Sequence, residues 1–190
     1  MAASCPAPPE SARGVREVER RLASLLRTLR DERKWTRDEL ARRADLNRDH
    51  VGAVERGEAT LTFDVLLRFL QAFDLQPSAF FRREELSVLR EGSGPGPRPR
   101  KRRFPEHAQR PYTTTLGAAL NYERELRKKH WSQETLAAAV GIPRARLSRI
   151  ENGTARPSVV LVLQLAQAMK IDPVKLFFFI RVRARRRNRG

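Results

Sequence analysis

The chain writes one passage twice. Trp35-Thr36 recurs as Trp131-Ser132, Leu40-Ala41 as Leu136-Ala137, Glu55 and Gly57 as Glu151 and Gly153, Pro77 as Pro173 and Phe81 as Phe177, all at an offset of 96 residues. Upstream, 27-RTLR-30 matches 124-RELR-127 at an offset of 97, so the second copy is expected to lack one residue there. A repeat of this length restricts a 190-residue chain to two small units of one kind. Residues 91–115 (EGSGPGPRPRKRRFPEHAQRPYTTT) separate them, rich in Pro, Gly and Arg and without apolar periodicity, and read as a flexible basic linker. The expected division is a disordered N-terminus over 1–14, a first unit over 15–90, the linker, a second unit over 116–180 and a basic tail over 181–190.

Helical spacing of apolar residues dominates each copy. In the second, Leu136, Val140, Leu147, Ile150, Leu161, Leu165 and Met169 follow it. The spacing predicts five short helices over 116–128, 132–140, 143–151, 158–169 and 173–180. The β-branched stretch 159–162 continues into LQLAQAM at helical period, so helix wins by length. The fold class is therefore all-α. Ser132 and Thr36 are expected N-caps of one helix pair, and Ser158 and Thr62 of another, each hydroxyl accepting from an unpaired amide of the first turn. Trp35 and Trp131 read as lids on the two cores. Three consecutive phenylalanines, 177–179, cannot all face one core. One face of the run 176–180 is therefore expected to pack on the other copy or on a second subunit.

The net charge of +17 attracts nucleic acid or an anionic surface. It is concentrated in 98-RPRKRR-103 and 181-RVRARRRNRG-190, which hold five and six basic residues and no acid. Arg98, Arg100, Lys101, Arg102, Arg103, Arg185, Arg186 and Arg187 are the expected linker and tail contacts to DNA. Cys5 is the single cysteine, so no disulfide framework exists. The first ten residues lack the basic start and apolar core of a signal peptide, and no stretch reaches the ~18 apolar residues of a membrane span. A cytoplasmic, nucleoid-associated protein with no membrane partner is expected. His50, His107 and His130 have no ligand spacing, and no nucleophile–base pair, phosphate loop or apolar carboxylate pair is visible. No enzyme activity, metal, cofactor or small-molecule ligand is expected.

The richest information lies around residue 145. Gly141 tolerates a left-handed backbone, so one short helix can turn sharply into the next. Leu147 and Ile150 face inward, which leaves Arg144, Ala145, Ser148 and Arg149 on the outer face. Small residues and arginines on a braced helix suit a major groove, where arginine makes two parallel hydrogen bonds to a guanine edge. Gly153 ends the helix. Amides near helix starts, with Gln133 beside them, suit phosphate.

Residues 132–158, SQETLAAAVGIPRARLSRIENGTARPS, resemble the helix-turn-helix repressors of the phage Cro/C1 (XRE) type, with Ser-Gln opening one helix, Leu-Ala, a turn glycine, and Ile-Glu-x-Gly ending the next. The resemblance implies two five-helix, lambda-repressor-like domains. It implies base contacts from Arg144, Ala145 and Arg149 and phosphate contacts from Gln133, Asn152 and Arg156. It also implies structural pairing of Glu55 with Arg30 and of Glu151 with Arg127. The first copy departs from the pattern. Asp45 stands at the turn glycine, Arg37 at the glutamine, and the outward face reads Arg48, Asp49, Gly52, Ala53. Asp tolerates the left-handed region better than most residues, so the turn is compatible with it. Weaker DNA contact is expected there from Arg37, Arg48, Asp49 and Arg56. Three uses of that copy stay open: reading bases, clamping backbone, or dimer contact.

A 25-residue flexible linker spans about 25–30 Å on average. It would let the domains sit on successive major grooves about 34–36 Å apart. The expected function is sequence-specific, double-stranded DNA-binding transcriptional regulation, repressing rather than activating, with a homodimer compatible with it. A second reading is an antitoxin-like or phage-defence regulator whose first domain or C-terminal apolar run binds a protein partner. A third is an RNA-binding accessory protein, for which no exposed aromatic platform is evident.

Overall fold

The computed structural model describes residues 12–83, 112–127, 129–178 and 180. The first half contains α1 (Ala12–Glu32), α2 (Arg37–Ala44), α3 (Arg48–Glu55), α4 (Phe63–Ala72) and α5 (Pro77–Phe80). The second contains α6 (Tyr112–Glu125), α7 (Gln133–Ala139), α8 (Arg144–Glu151), α9 (Val159–Ala168) and α10 (Pro173–Phe178). Secondary structure among the described residues is otherwise one isolated antiparallel bridge between Thr62 and Ser158. The first helices start at Ala12 and Tyr112, a few residues ahead of the expected starts. Residues 1–11 and 84–111 lie outside the described residues, as does the tail from 181.

Caps fix where the helices begin. Thr36 accepts from the Glu39 amide while the Glu39 carboxylate accepts from the Thr36 amide, a reciprocal capping box. Ser132 and Thr135 do the same for α7, and Ser158 accepts from the Leu161 amide of α9. Thr62 departs from expectation: its side chain makes no capping hydrogen bond. The first amide of α4, on Phe63, donates instead to the Pro157 carbonyl of the other half at 3.0 Å, and the Val159 amide of α9 returns the contact to Leu61 at 2.9 Å. Each helix thus satisfies one of its orphan donors on the opposite half.

The two halves are not held by the tether alone, which is the expectation the structure changes most. Apolar side chains from both merge into one core. The contacts exchange under a swap of halves: α1 meets α9 as α6 meets α4, α5 lies against α10, and Thr62 faces Ser158. Such self-complementary pairing defines an approximate two-fold axis within one chain. Phe81 and Phe177, equivalent in the repeat, stack at 4.2 Å near that axis. Phe177 also stacks on Phe63 at 5.4 Å. This answers the expectation for the 176–180 run: Leu176, Phe177 and Ile180 are buried, and Phe177 packs on the other copy. Trp35 and Trp131 are partly buried against the core, with Trp35 stacked on Phe73 at 5.8 Å.

A shared core couples the halves. Urea unfolding followed by Trp35 alone (W131F) and by Trp131 alone (W35F) should therefore show coincident midpoints. Phe177→Ala should lower the unfolding free energy by about 3–5 kcal/mol in both.

The Thr36 backbone amide, ahead of its hydroxyl and Arg42 and Arg43, holds the Glu39 carboxyl below its ordinary range. The fold favours the charged form, so this contribution is present above the ordinary carboxylate range and lost as pH falls through the lowered value. Glu39→Gln keeps an acceptor but cannot titrate. Its melting temperature, followed by circular dichroism, should fall less steeply on the acid side than that of the wild type.

Candidate nucleic-acid interface

The turn between α7 and α8 is built as its sequence demands. Gly141 takes φ +70°, the left-handed conformation in which glycine carries no Cβ penalty. Leu147 and Ile150 then point into the core at 0% and 1% exposure, and Arg144, Ala145, Arg146 and Arg149 are exposed, with Ser148 half-buried beside them. In the first half Asp45 takes the same conformation at φ +54°. Arg68 secures it, donating to the Asp45 carbonyl at 2.6 Å and to its carboxylate at 3.2 Å.

A buried carboxylate anchors the rear of each outer helix. Glu151, at the end of α8, accepts from Arg124 Nε at 2.7 Å and Nη2 at 3.0 Å, and from Gln133 Nε2 at 2.8 Å. Glu55 accepts from Arg30 Nε at 2.6 Å and Nη2 at 3.2 Å, and from Arg37 Nε at 3.0 Å. The hydrogen bonds to these glutamates are the largest cause of raised values at Arg30 and Arg124, against the opposing effect of burial. The partner of Glu151 is Arg124 and not Arg127, which corrects the expected pairing. Arg127 turns back one turn to the Glu123 carboxylate at 2.6 Å. The repeat is in register at an offset of 94 before the first loop, with 22-LASLLRTLR-30 opposite 116-LGAALNYER-124, so the second copy is longer there and not shorter.

That register exposes a residue the sequence reading passed over. Gly117 stands where the first half has Ala23. A Cβ on Gly117 would lie 2.4 Å from the carbonyl oxygens of both Ile150 and Glu151. Glycine here lets α6 approach the backbone at the end of α8.

The outward faces of the two halves differ in how their cations are occupied. In the first, Arg37 is tied to Glu55, Arg48 pairs with Asp38 at 3.3 Å, and Arg56 pairs with Glu58 at 2.7 Å. The Arg56 hydrogen bond lowers the Glu58 carboxyl and raises the arginine. Asp49 is exposed, and its amide donates to the N-cap Asn47. Gly52 does not stand outward as expected: it is buried, with the Arg56 guanidinium 3.0 Å from where its Cβ would be. In the second half, Arg144 and Arg149 are exposed and make no ion pair among the described residues. Pro143, the N-cap of α8, offers no side-chain acceptor to its first turn. Asn152 is exposed at the C-cap, and Arg156 reaches across to Asp64 of the first half at 3.3 Å. Gln133 is half-buried with its amide nitrogen held by Glu151. The linker and tail cations, Arg98, Arg100, Lys101, Arg102, Arg103, Arg185, Arg186 and Arg187, lie outside the described residues.

A family model described as "Helix-turn-helix" matches residues 122–176, and one described as "Helix-turn-helix domain" matches residues 21–80, together more than half of the chain. The chain belongs to the Cro/C1-type helix-turn-helix (XRE) family, with the domain in tandem. This tandem helix-turn-helix protein is a DNA-binding regulator of transcription, and double-stranded DNA is its partner. No curated protein and no solved structure matches it. No helix among the described residues is long and apolar enough to cross a membrane.

Removing the anchor of α8 should be costly. Glu151→Ala leaves the buried Arg124 guanidinium with the half-exposed Glu125 carboxylate as its remaining acid, at 2.7 Å, and leaves the Gln133 amide without its acceptor, and should destabilise the protein by about 3 kcal/mol in urea titration. Gly117→Ala forces backbone apart and should cost about 1–3 kcal/mol, while Ala23→Gly, at the equivalent position, should cost no more than about 1 kcal/mol.

Proposed function

We propose that the protein is a sequence-specific regulator that reads the major groove of duplex DNA with α8 and represses by occupying the sites it binds. The observation that carries this reading is that the exposed guanidiniums of Arg144 and Arg149, like that of Arg146, make no ion pair among the described residues and stand on a helix whose opposite side is fastened by Leu147, Ile150 and Glu151. Arg144 and Arg149 can both donate to a guanine edge, whereas the first half has Ala53, without a donor, at the position of Arg149. Ala145 and Ser148 lie between them and allow close approach to the bases. Asn152 and Gln133 flank the helix ends, where contacts to phosphate fix register. Arg156 joins them when it exchanges its exposed pairing with Asp64 for phosphate, an exchange of small cost because surface pairs contribute little. In the first half, Arg37, Arg48 and Arg56 supply backbone contacts, and the linker and tail cations add grip without sequence information. A compact body clamped over grooves excludes other proteins from them, which supports repression by occupancy. The C-terminal apolar run offers less to a protein partner, since Leu176, Phe177 and Ile180 are buried within the chain.

Selection of bound duplexes from a random pool tests this reading. The wild type should enrich a motif, and Arg144→Ala and Arg149→Ala should each cost roughly 10-fold or more in affinity for it. Enrichment of an unchanged motif by the double variant would show that another element reads the bases. Affinity should also fall about 1000-fold between 50 and 200 mM salt if six or more phosphates are neutralised.

A further inference from the structure

The internal two-fold, combined with the unequal faces it relates, has a consequence for the DNA itself. We propose that one chain alone fills a complete two-half site, and that this site is non-palindromic. The inference rests on the groove reading above and names the duplex it selects.

Two-fold dimers of helix-turn-helix units meet half-sites one helical turn apart, and identical subunits make those half-sites inverted copies. Here the axis relates α3 to α8 inside a single chain, so the second unit is already in place. The interface also differs on its two sides. Phe177 stacks on Phe63, whereas the residue equivalent to Phe63 in the second half is the smaller Val159. Arg156 pairs with Asp64, whereas the equivalent positions of the other half-pair hold Thr60 and Val160, which carry no charge. A pair of first halves would lose the arginine of that contact, and a pair of second halves would lose its acid.

The reading faces then differ position by position. Arg144 matches Arg48, which Asp38 engages at 3.3 Å. Ala145 matches Asp49, a carboxylate that repels phosphate. Ser148 matches Gly52, buried beneath Arg56, and Arg149 matches Ala53, which has nothing to donate. One half-site is read through two guanidiniums, on Arg144 and Arg149, that make no ion pair among the described residues. The other is held chiefly by its backbone.

The test uses the full chain: selection from a random duplex pool, then titration of the enriched duplex at concentrations well above its Kd with the stoichiometry read by native mass spectrometry. One chain per duplex is expected, with a sharp half-motif and a shallow one about one helical turn, roughly 34–36 Å, away. Arg144→Ala with Arg149→Ala should flatten the sharp half. Arg48→Ala with Arg56→Ala should weaken binding several-fold across all sequences and leave the sharp half intact. All four side chains are exposed, and far-ultraviolet circular dichroism checks that each variant folds. Two equal inverted half-motifs, or two chains on one duplex, would overturn the inference while leaving groove reading in place. Failure to enrich any duplex would overturn both.

Discussion

A carboxylate shut away from water holds each half in order. Glu55 and Glu151 lie at the C-terminal ends of α3 and α8, where the helix dipole disfavours negative charge. They persist there because each gathers a guanidinium from the first helix of its half and a second donor from the next, Arg37 or Gln133. Three helices thus converge on one side chain. A buried pair of this kind adds little net stability over an apolar substitute, but it tolerates few alternative geometries. Its effect is to set the roll of the outer helix, and through that roll the direction in which Arg144 and Arg149 project.

The same logic of unmet polar groups acts between the halves. The amides opening α4 and α9 find their acceptors across the axis, on Pro157 and Leu61. Around those bonds lies an aromatic cluster in which Phe177 contacts Phe63 and Phe81. Directional bonds specify register, and the rings supply apolar burial. The relation between the two helix-turn-helix units is consequently a property of packed side chains. The average span of a random coil between residues 91 and 115 does not determine it.

Much of this was legible in the residues, and the failures have physical causes. The repeat, the helices of the second half, the left-handed turns at Gly141 and Asp45 and the inward Leu147 and Ile150 all follow from local rules of spacing and backbone conformation. Arg124 was missed because 27-RTLR-30 and 124-RELR-127 look alike, while the true register is carried by Leu22 and Leu26 opposite Leu116 and Leu120, a core signal. Gly117 reads as an ordinary helical glycine until the neighbouring carbonyls are known. Whether an exposed arginine is free or paired is a matter of tertiary proximity. Arg48 and Arg144 each have an acid at the equivalent position, Asp38 or Glu134, yet only Asp38 comes within ion-pair distance among the described residues. The merged core was only half visible: the phenylalanine run announced a surplus face, but not that Phe63 and Phe81 would receive it.

Joining the two units in one polypeptide also changes what variation can do. When two copies come from one gene, every altered codon appears on both sides of the axis, and a favourable change on one side is tied to its effect on the other. Here Asp49 and Ala145, or Ala53 and Arg149, are separate positions in one reading frame. Either face can diverge while its neighbour stays as it is, so the covalent connection gives inheritance two independent handles on a single clamp.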